Sequence, residues 1–325
     1  MMASVARPGG LGGSRRTIQG ALKAQGALKA TAGQFPLIPL LGLLALCLIW
    51  GLSIPATKLG LESFPPLLLA ACRYLAAAPF FALVLIGRAL PSRRALLAMA
   101  ALGIIGIDVG QVTQILGVQK TEASVATVIS ATIPIFTVFL ASWRLRQKLR
   151  ATHLLGLGVA LAGIAVVATK GASSSLELSV PALTGDVLML LSAVSIALYY
   201  TLSAEITRKY PVMVVAAWSS LFGTIGLVPV IPWELGGTAV SPGLLGMGAV
   251  LYLGVLVTVA GLWIWLHSLR VLPVRIVAGS QYLQPLIGVA ASAALFGEPV
   301  GPSFGVGTVL VFIGIAMTAT PHRSN

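Results

Sequence analysis

Asp108, in the stretch GIDVGQVTQ (106–114), follows thirteen uncharged residues and precedes eleven more. A lone ionised carboxylate in so apolar a setting costs a few kcal/mol or more, so it must be neutral, paired or hydrated. Arg73 is the one basic residue expected inside an apolar span. It lies eight residues after Pro65, while Asp108 lies nine residues before Gly117. On consecutive antiparallel helices both then sit ~13 Å from the outer end, at 1.5 Å per residue. Two chemistries follow. Arg73 and Asp108 form a structural charge pair, or Asp108 opens to a cavity and binds a proton or a cationic substrate group in one state and releases it in another.

Other polar and aromatic groups recur at similar depths. Trp50, Ser53, Gln111, Gln114, Ser130, Thr132, Tyr199, Tyr200, Trp263, Gln281, Tyr282 and Gln284 all fall within apolar runs. Unpaired polar groups are costly in hydrocarbon, so these side chains are expected to face the interior. With Asp108, the set Trp50, Ser53, Gln111, Ser130, Tyr199, Tyr200, Gln281, Tyr282 and Gln284 is expected to line a substrate cavity, its amides orienting a ligand and its rings stacking on it. The competing account is hydrogen bonding between helices, with Trp and Tyr anchoring at the membrane interface. For Trp263 and Trp265 anchoring is at least as strong an account. Pro55, Pro134 and Pro285 each remove a backbone hydrogen bond within a span, which suits either a gating hinge or a fixed bend. Glu62, Glu122, Glu177, Asp186, Glu234 and Glu298 fall at outer span ends, where solvation suffices for most. Glu205 is expected to pair with Arg208, three residues on.

Catalytic chemistry has little to work with. The sequence contains no HExxH, Walker loop or GxGxxG, and no CxxC. Cys47 and Cys72 read as small buried hydrophobes, and His153, His267 and His322 lack metal-ligand spacing. No metal or cofactor is expected, and a membrane-embedded enzyme is disfavoured.

The elements that must position these groups follow from composition. Of 325 residues 57% are hydrophobic and only 9% are charged, against roughly 25% charged in a soluble domain. This is a membrane protein, and the 36 Gly and 19 Pro fit, because bilayer helices tolerate both. Spanning takes about 20 apolar residues. Ten such runs are present, near 37–58, 65–87, 95–117, 122–143, 152–169, 185–206, 211–232, 243–268, 274–297 and 302–320. With the N-terminus cytoplasmic, seventeen Lys and Arg fall in inside segments and three, Lys58, Lys120 and Lys170, outside. Both termini are therefore expected inside. The net charge of +13 is a topology signal, and nucleic acid is not an expected partner. Residues 1–35, acid-free and rich in Gly and Ala, are expected to be a disordered tail rather than a transit peptide.

The chain also answers itself at a shift of 151 residues. Pro134 falls on Pro285, Gly156 on Gly307, Gly163 on Gly314, Gly103 on Gly254 and Gly110 on Gly261. The organisation expected is a first five-helix repeat over 36–170, a connecting loop at 171–183, a second repeat over 184–321, and a tail at 322–325. Five is odd, so the second half enters the membrane from the opposite side, an inverted repeat of the kind secondary transporters use.

WGLSIPATK (50–58), RYLAAAPF (73–80) and PVRIVAGSQYLQPLIGVAASAALFGE (273–298), followed by a Gly-spaced last span, resemble the EamA family of the drug/metabolite transporter superfamily. The resemblance covers about 37–320. It implies a ten-helix carrier of the inner or plasma membrane, usually an exporter of metabolites, amino acids or toxic compounds. The acid that usually ends the fourth span is Glu298 in the second half but Gln147 in the first, so a symmetric role is not implied here. The reading reached is an all-α polytopic membrane protein of ten transmembrane helices in two inverted repeats. It exports a small amphipathic metabolite by alternating access, with substrate and membrane lipid as partners. A passive facilitator or channel is the alternative. Substrate identity, proton coupling and oligomeric state are left open.

Overall fold

The computed structural model describes residues 37–144, 151–168, 180–236, 240, 242–272, 277, 280, 281 and 283–318. The chain divides into Met1–Gly42, of which residues 37–42 are described and helical, and Leu43–Asn325, within which every contact and site residue described below lies. The expected tails at 1–35 and 322–325 lie outside the described residues. The connecting segment is described only from Val180, where it is already helical.

All the described elements are helical. Seven helices are long and apolar enough to cross a membrane. They are α1 (Leu37–Leu61), α2 (Pro66–Leu85), α3 (Arg93–Lys120), α4 (Ala123–Arg144), α6 (Val180–Ile206), α7 (Val212–Leu235) and α8 (Leu244–Val271). Three further apolar helices are shorter: α5 (Ala151–Ala168), α9 (Leu283–Phe296) and α10 (Pro302–Thr318). Helices prevail because hydrocarbon offers no partner for backbone N–H and C=O, and a helix satisfies these internally.

Small residues decide how the helices meet. A methyl group added to Gly163 of α5 would lie 2.6 Å from the Gly307 carbonyl oxygen of α10. One added to Gly314 of α10 would lie 2.5 Å from the Gly156 carbonyl oxygen of α5. The contact is reciprocal in the 151-residue register. A second pair behaves alike: Gly103 of α3 rests on the Ser219 carbonyl of α7, and Gly254 of α8 on the Arg73 carbonyl of α2, each with room for hydrogen only. Without a hydrophobic drive between helices in lipid, such close backbone packing is the main source of association.

Several helices are interrupted. α1 breaks at Leu52, α4 at Ala131–Thr132, and α7 at Val228–Pro229. Pro55, Pro134 and Pro285 each stand in the first turn of the segment that follows a break or start: Ser53–Leu61, Ile133–Arg144 and Leu283–Phe296. There the missing N–H is least costly, which explains why proline sits at these positions. α3 and α8 carry π-helical stretches, Ile104–Gln111 and Tyr252–Ala260, which overlap when shifted by 151. π turns are rare and concentrate at functional sites.

Candidate functional site

The π stretches leave carbonyls that the normal ladder does not take, and side chains from other helices take them. Trp50 of α1 donates its indole N–H to the Val257 carbonyl in α8 (3.0 Å). Ser195 of α6 donates to the Ile105 carbonyl in α3 (2.6 Å). Glycines make room for the rings nearby. The Trp50 indole lies over Gly261, and the Tyr199 ring lies over Gly106, where an added methyl would come within 2.6 Å. Two large aromatic side chains are thereby held in place at the wall of one cavity.

That cavity has a volume of about 370 Å³, within the range of small-molecule sites. Its wall includes Trp50 and Ser53 of α1, Arg73 and Tyr74 of α2, and Gln111 and Gln114 of α3. Ser130 and Pro134 of α4, Tyr199 and Tyr200 of α6, Ser220 of α7 and Thr258 of α8 continue it, with Gln281, Gln284 and Pro285 at the start of α9. Gln284 donates its amide to Gln281 Oε1 (2.6 Å). Gln281 Nε2 and Ser130 Oγ are buried without a protein partner. Buried polar atoms are nearly always bonded, so these two mark places where a ligand or water belongs.

The structure separates Asp108 from this group. Asp108 is not on the cavity wall; its carboxylate presses against Gly226 of α7, and Oδ1 is buried with no partner. The expected Arg73–Asp108 pair is not formed. Arg73 donates from Nε to Thr258 Oγ1 (3.1 Å) and from Nη1 to Gln111 Oε1 (2.9 Å) instead. Depth along a helix fixes no azimuth, and Asp108, within the π stretch, faces α7. Pro55 is buried and off the wall; Tyr282 lies outside the described residues. Thr132 is buried and donates to the Ile129 carbonyl within its own helix (2.6 Å). Trp263 is 59% exposed and stacks on His267 with centroids 5.4 Å apart, away from the cavity wall.

Several wall residues were not among the expected ones, Tyr74, Thr258 and Ser220 among them. Tyr74 stacks under the Arg73 guanidinium at 5.5 Å, and its place beside that arginine was the available signal. Thr258 bonds the Leu253 carbonyl five residues back (2.8 Å), a π-type spacing that no pattern in the sequence announces. Ser220 is a third, with no such signal either.

The acids at the span ends are not simply solvated. Glu298, 9% exposed, accepts the Ala123 and Ser124 N–H groups through its two carboxylate oxygens, both at 2.8 Å. This closes the N-terminus of α4, whose first N–H groups have no helical partner. Gly297, at φ 63°, provides the left-handed turn that ends α9 just before Glu298. Glu234 accepts the Leu67 and Leu68 N–H groups at the start of α2, and buried Asp186 accepts the Thr121 hydroxyl (2.7 Å). Glu205 is paired by Arg144, at 2.7 and 3.2 Å, rather than Arg208. Arg208 lies past the end of α6 at Ile206, whereas Arg144 reaches both carboxylate oxygens from α4.

Proteins similar to this chain are described as transporters, exporters or efflux pumps. The chain is 30% identical over 81% of its length to 84% of YedA, an uncharacterized inner membrane transporter of Escherichia coli K12. It is 28% identical over 87% of its length to 95% of a probable amino-acid metabolite efflux pump of Salmonella typhimurium. A probable terminal-alkyne amino-acid exporter of Streptantibioticus cattleyicolor is 26% identical over 82% of this chain and 89% of its own. One crystal structure has the same fold with a TM-score of 0.60 at 18% identity, covering 88% of this chain and 97% of that one. Residues 37–169 and 183–320 each match the EamA-like transporter family. The chain is a multi-pass membrane protein and belongs to that family of transporters.

Proposed function

We propose that this protein is a secondary carrier that exports a small amphipathic metabolite by alternating access, from an inner membrane with both termini in the cytoplasm. The observation that carries the reading is the cavity, whose wall draws polar and aromatic groups from both sequence halves. It also holds two polar atoms, Ser130 Oγ and Gln281 Nε2, that lack protein partners. Ten spanning helices in two inverted halves are part of the proposal. The reciprocal contacts of Gly163 with Gly314's helix and of Gly103 and Gly254 with α7 and α2 support it, as do the overlapping π stretches. The breaks before Pro134 and Pro285 are where the cavity walls would rock. With no ATP-binding motif in the sequence, energy would come from an ion gradient or the substrate gradient itself.

The export direction rests on the exporters among the relatives. Counterflow tests the carrier mechanism. In proteoliposomes loaded with unlabelled amino acid, entry of labelled amino acid should be accelerated several-fold over empty liposomes. A channel gives no acceleration, and that result would refute alternating access.

A further inference from the structure

We infer that Arg73 is the binding group for a substrate carboxylate, so the exported compound is an organic acid or amino acid rather than a cation. The inference deepens the carrier reading above and rests on it. Arg73 is 6% exposed, inside a membrane span, and on the cavity wall. An intramembrane guanidinium stays charged and normally faces an acid. Among the described residues no carboxylate faces it. Its bonds go to two neutral acceptors, Gln111 Oε1 and Thr258 Oγ1, and its other contact is the Tyr74 ring. Asp108, the one acid inside the adjacent helix, is turned against Gly226.

Nε and Nη1 are held by α8 and α3, so the guanidinium plane is fixed while its remaining N–H groups have no acceptor among the described residues. A planar fork held in this way fits a carboxylate through two parallel hydrogen bonds. A single positive charge balances a monoanion and leaves a phosphate dianion half compensated, which favours the carboxylate. The apolar part of the compound would lie against the rings of Trp50, Tyr199 and Tyr200, the last two 5.7 Å apart and edge to face. Gln111 and Thr258 are positioning residues for the guanidinium.

The test is counterflow in proteoliposomes with matched acid and amide probes: leucine and leucinamide, phenylalanine and phenylalaninamide, 3-phenylpropionate and its amide. In the natural protein the acids should move about 10- to 100-fold faster than their amides, the range expected for a charge-assisted hydrogen-bond pair. Arg73→Gln should bring the acids down to the rate of the amides. Arg73→Lys, a point charge without the fork, should keep part of the preference. A second measurement spares Arg73. In a Cys47→Ala, Cys72→Ala, Ser130→Cys protein, the cavity thiol should favour an anionic methanethiosulfonate over a cationic one, relative to free thiol. Equal movement of acids and amides, acids unaffected by Arg73→Gln, or a cationic preference at Ser130→Cys would each overturn the inference. Counterflow confined to amides or cations removes the carboxylate site and leaves the carrier standing. Absence of counterflow with every probe sinks both.

Discussion

Replacing Glu298 by alanine removes both acceptors of the Ala123 and Ser124 N–H groups in a site only 9% exposed. Each charge-assisted bond contributes about 1.5–3 kcal/mol, and the charge at a helix N-terminus adds up to about 2 kcal/mol in a partly buried setting. These overlap, so a total loss of about 3–5 kcal/mol is expected, a large part of a typical stability margin of about 5–15 kcal/mol. Glu298→Gln keeps the shape and one acceptor but turns an amide N–H toward a backbone N–H, and should lose about half as much. Glu298→Asp, one methylene short, should fall between natural protein and alanine variant. The assay is equilibrium unfolding from mixed micelles into dodecyl sulfate, followed by tryptophan fluorescence. The midpoint should fall in the order natural protein, Asp, Gln, Ala. The cap also ties the end of α9 to the start of α4, and both helices carry cavity residues, so transport should fall with stability. An alanine variant with an unchanged midpoint would refute the reasoning, since two bonds at 2.8 Å cannot then be holding α4.

Asp108→Asn should fold as well as the natural protein or better, because it neutralises a carboxylate whose Oδ1 is buried and unpartnered. Size-exclusion recovery measures this, and a severe loss rescued by neutralising Arg73 would revive the charge pair; transport made independent of the pH gradient would identify Asp108 as a coupling group. Gln284→Leu makes α9 more apolar and removes the donor to Gln281 Oε1. It should insert normally and lose at least about tenfold in counterflow, as expected when a site's polar contact goes unpaired, and normal transport would make Gln284 a packing residue. In a Cys47→Ala, Cys72→Ala background, Ser173→Cys should react with an impermeant thiol reagent on intact cells. Reaction only after the membrane is broken would reverse the proposed orientation and every loop with it.

Much of the architecture was legible before any coordinates. A chain with so few charges cannot cover a soluble surface, so long apolar runs had to become membrane helices. The Gly register at 151 residues anticipated that Gly163 and Gly314 would meet a partner backbone, since small residues are what close helix packing requires. Depth was legible too, because a helix rises uniformly. Trp50, Gln111, Ser130, Tyr199 and Gln284 share a depth, and they share a cavity. Azimuth was not legible. The π stretches in α3 and α8 widen the turn and shift the face that each later residue presents, by an amount no apolar pattern encodes. The packed helices set Asp108 against Gly226 and leave Arg73 to Gln111 and Thr258. The same limit applies at helix ends. Glu298 looked solvated because its place along the chain is a span terminus, but its distance to the first N–H groups of α4, 174 and 175 residues earlier, exists only once the helices are packed. Composition and periodicity report what each segment must bury, whereas the partner of a given charge is set by packing between segments far apart in sequence.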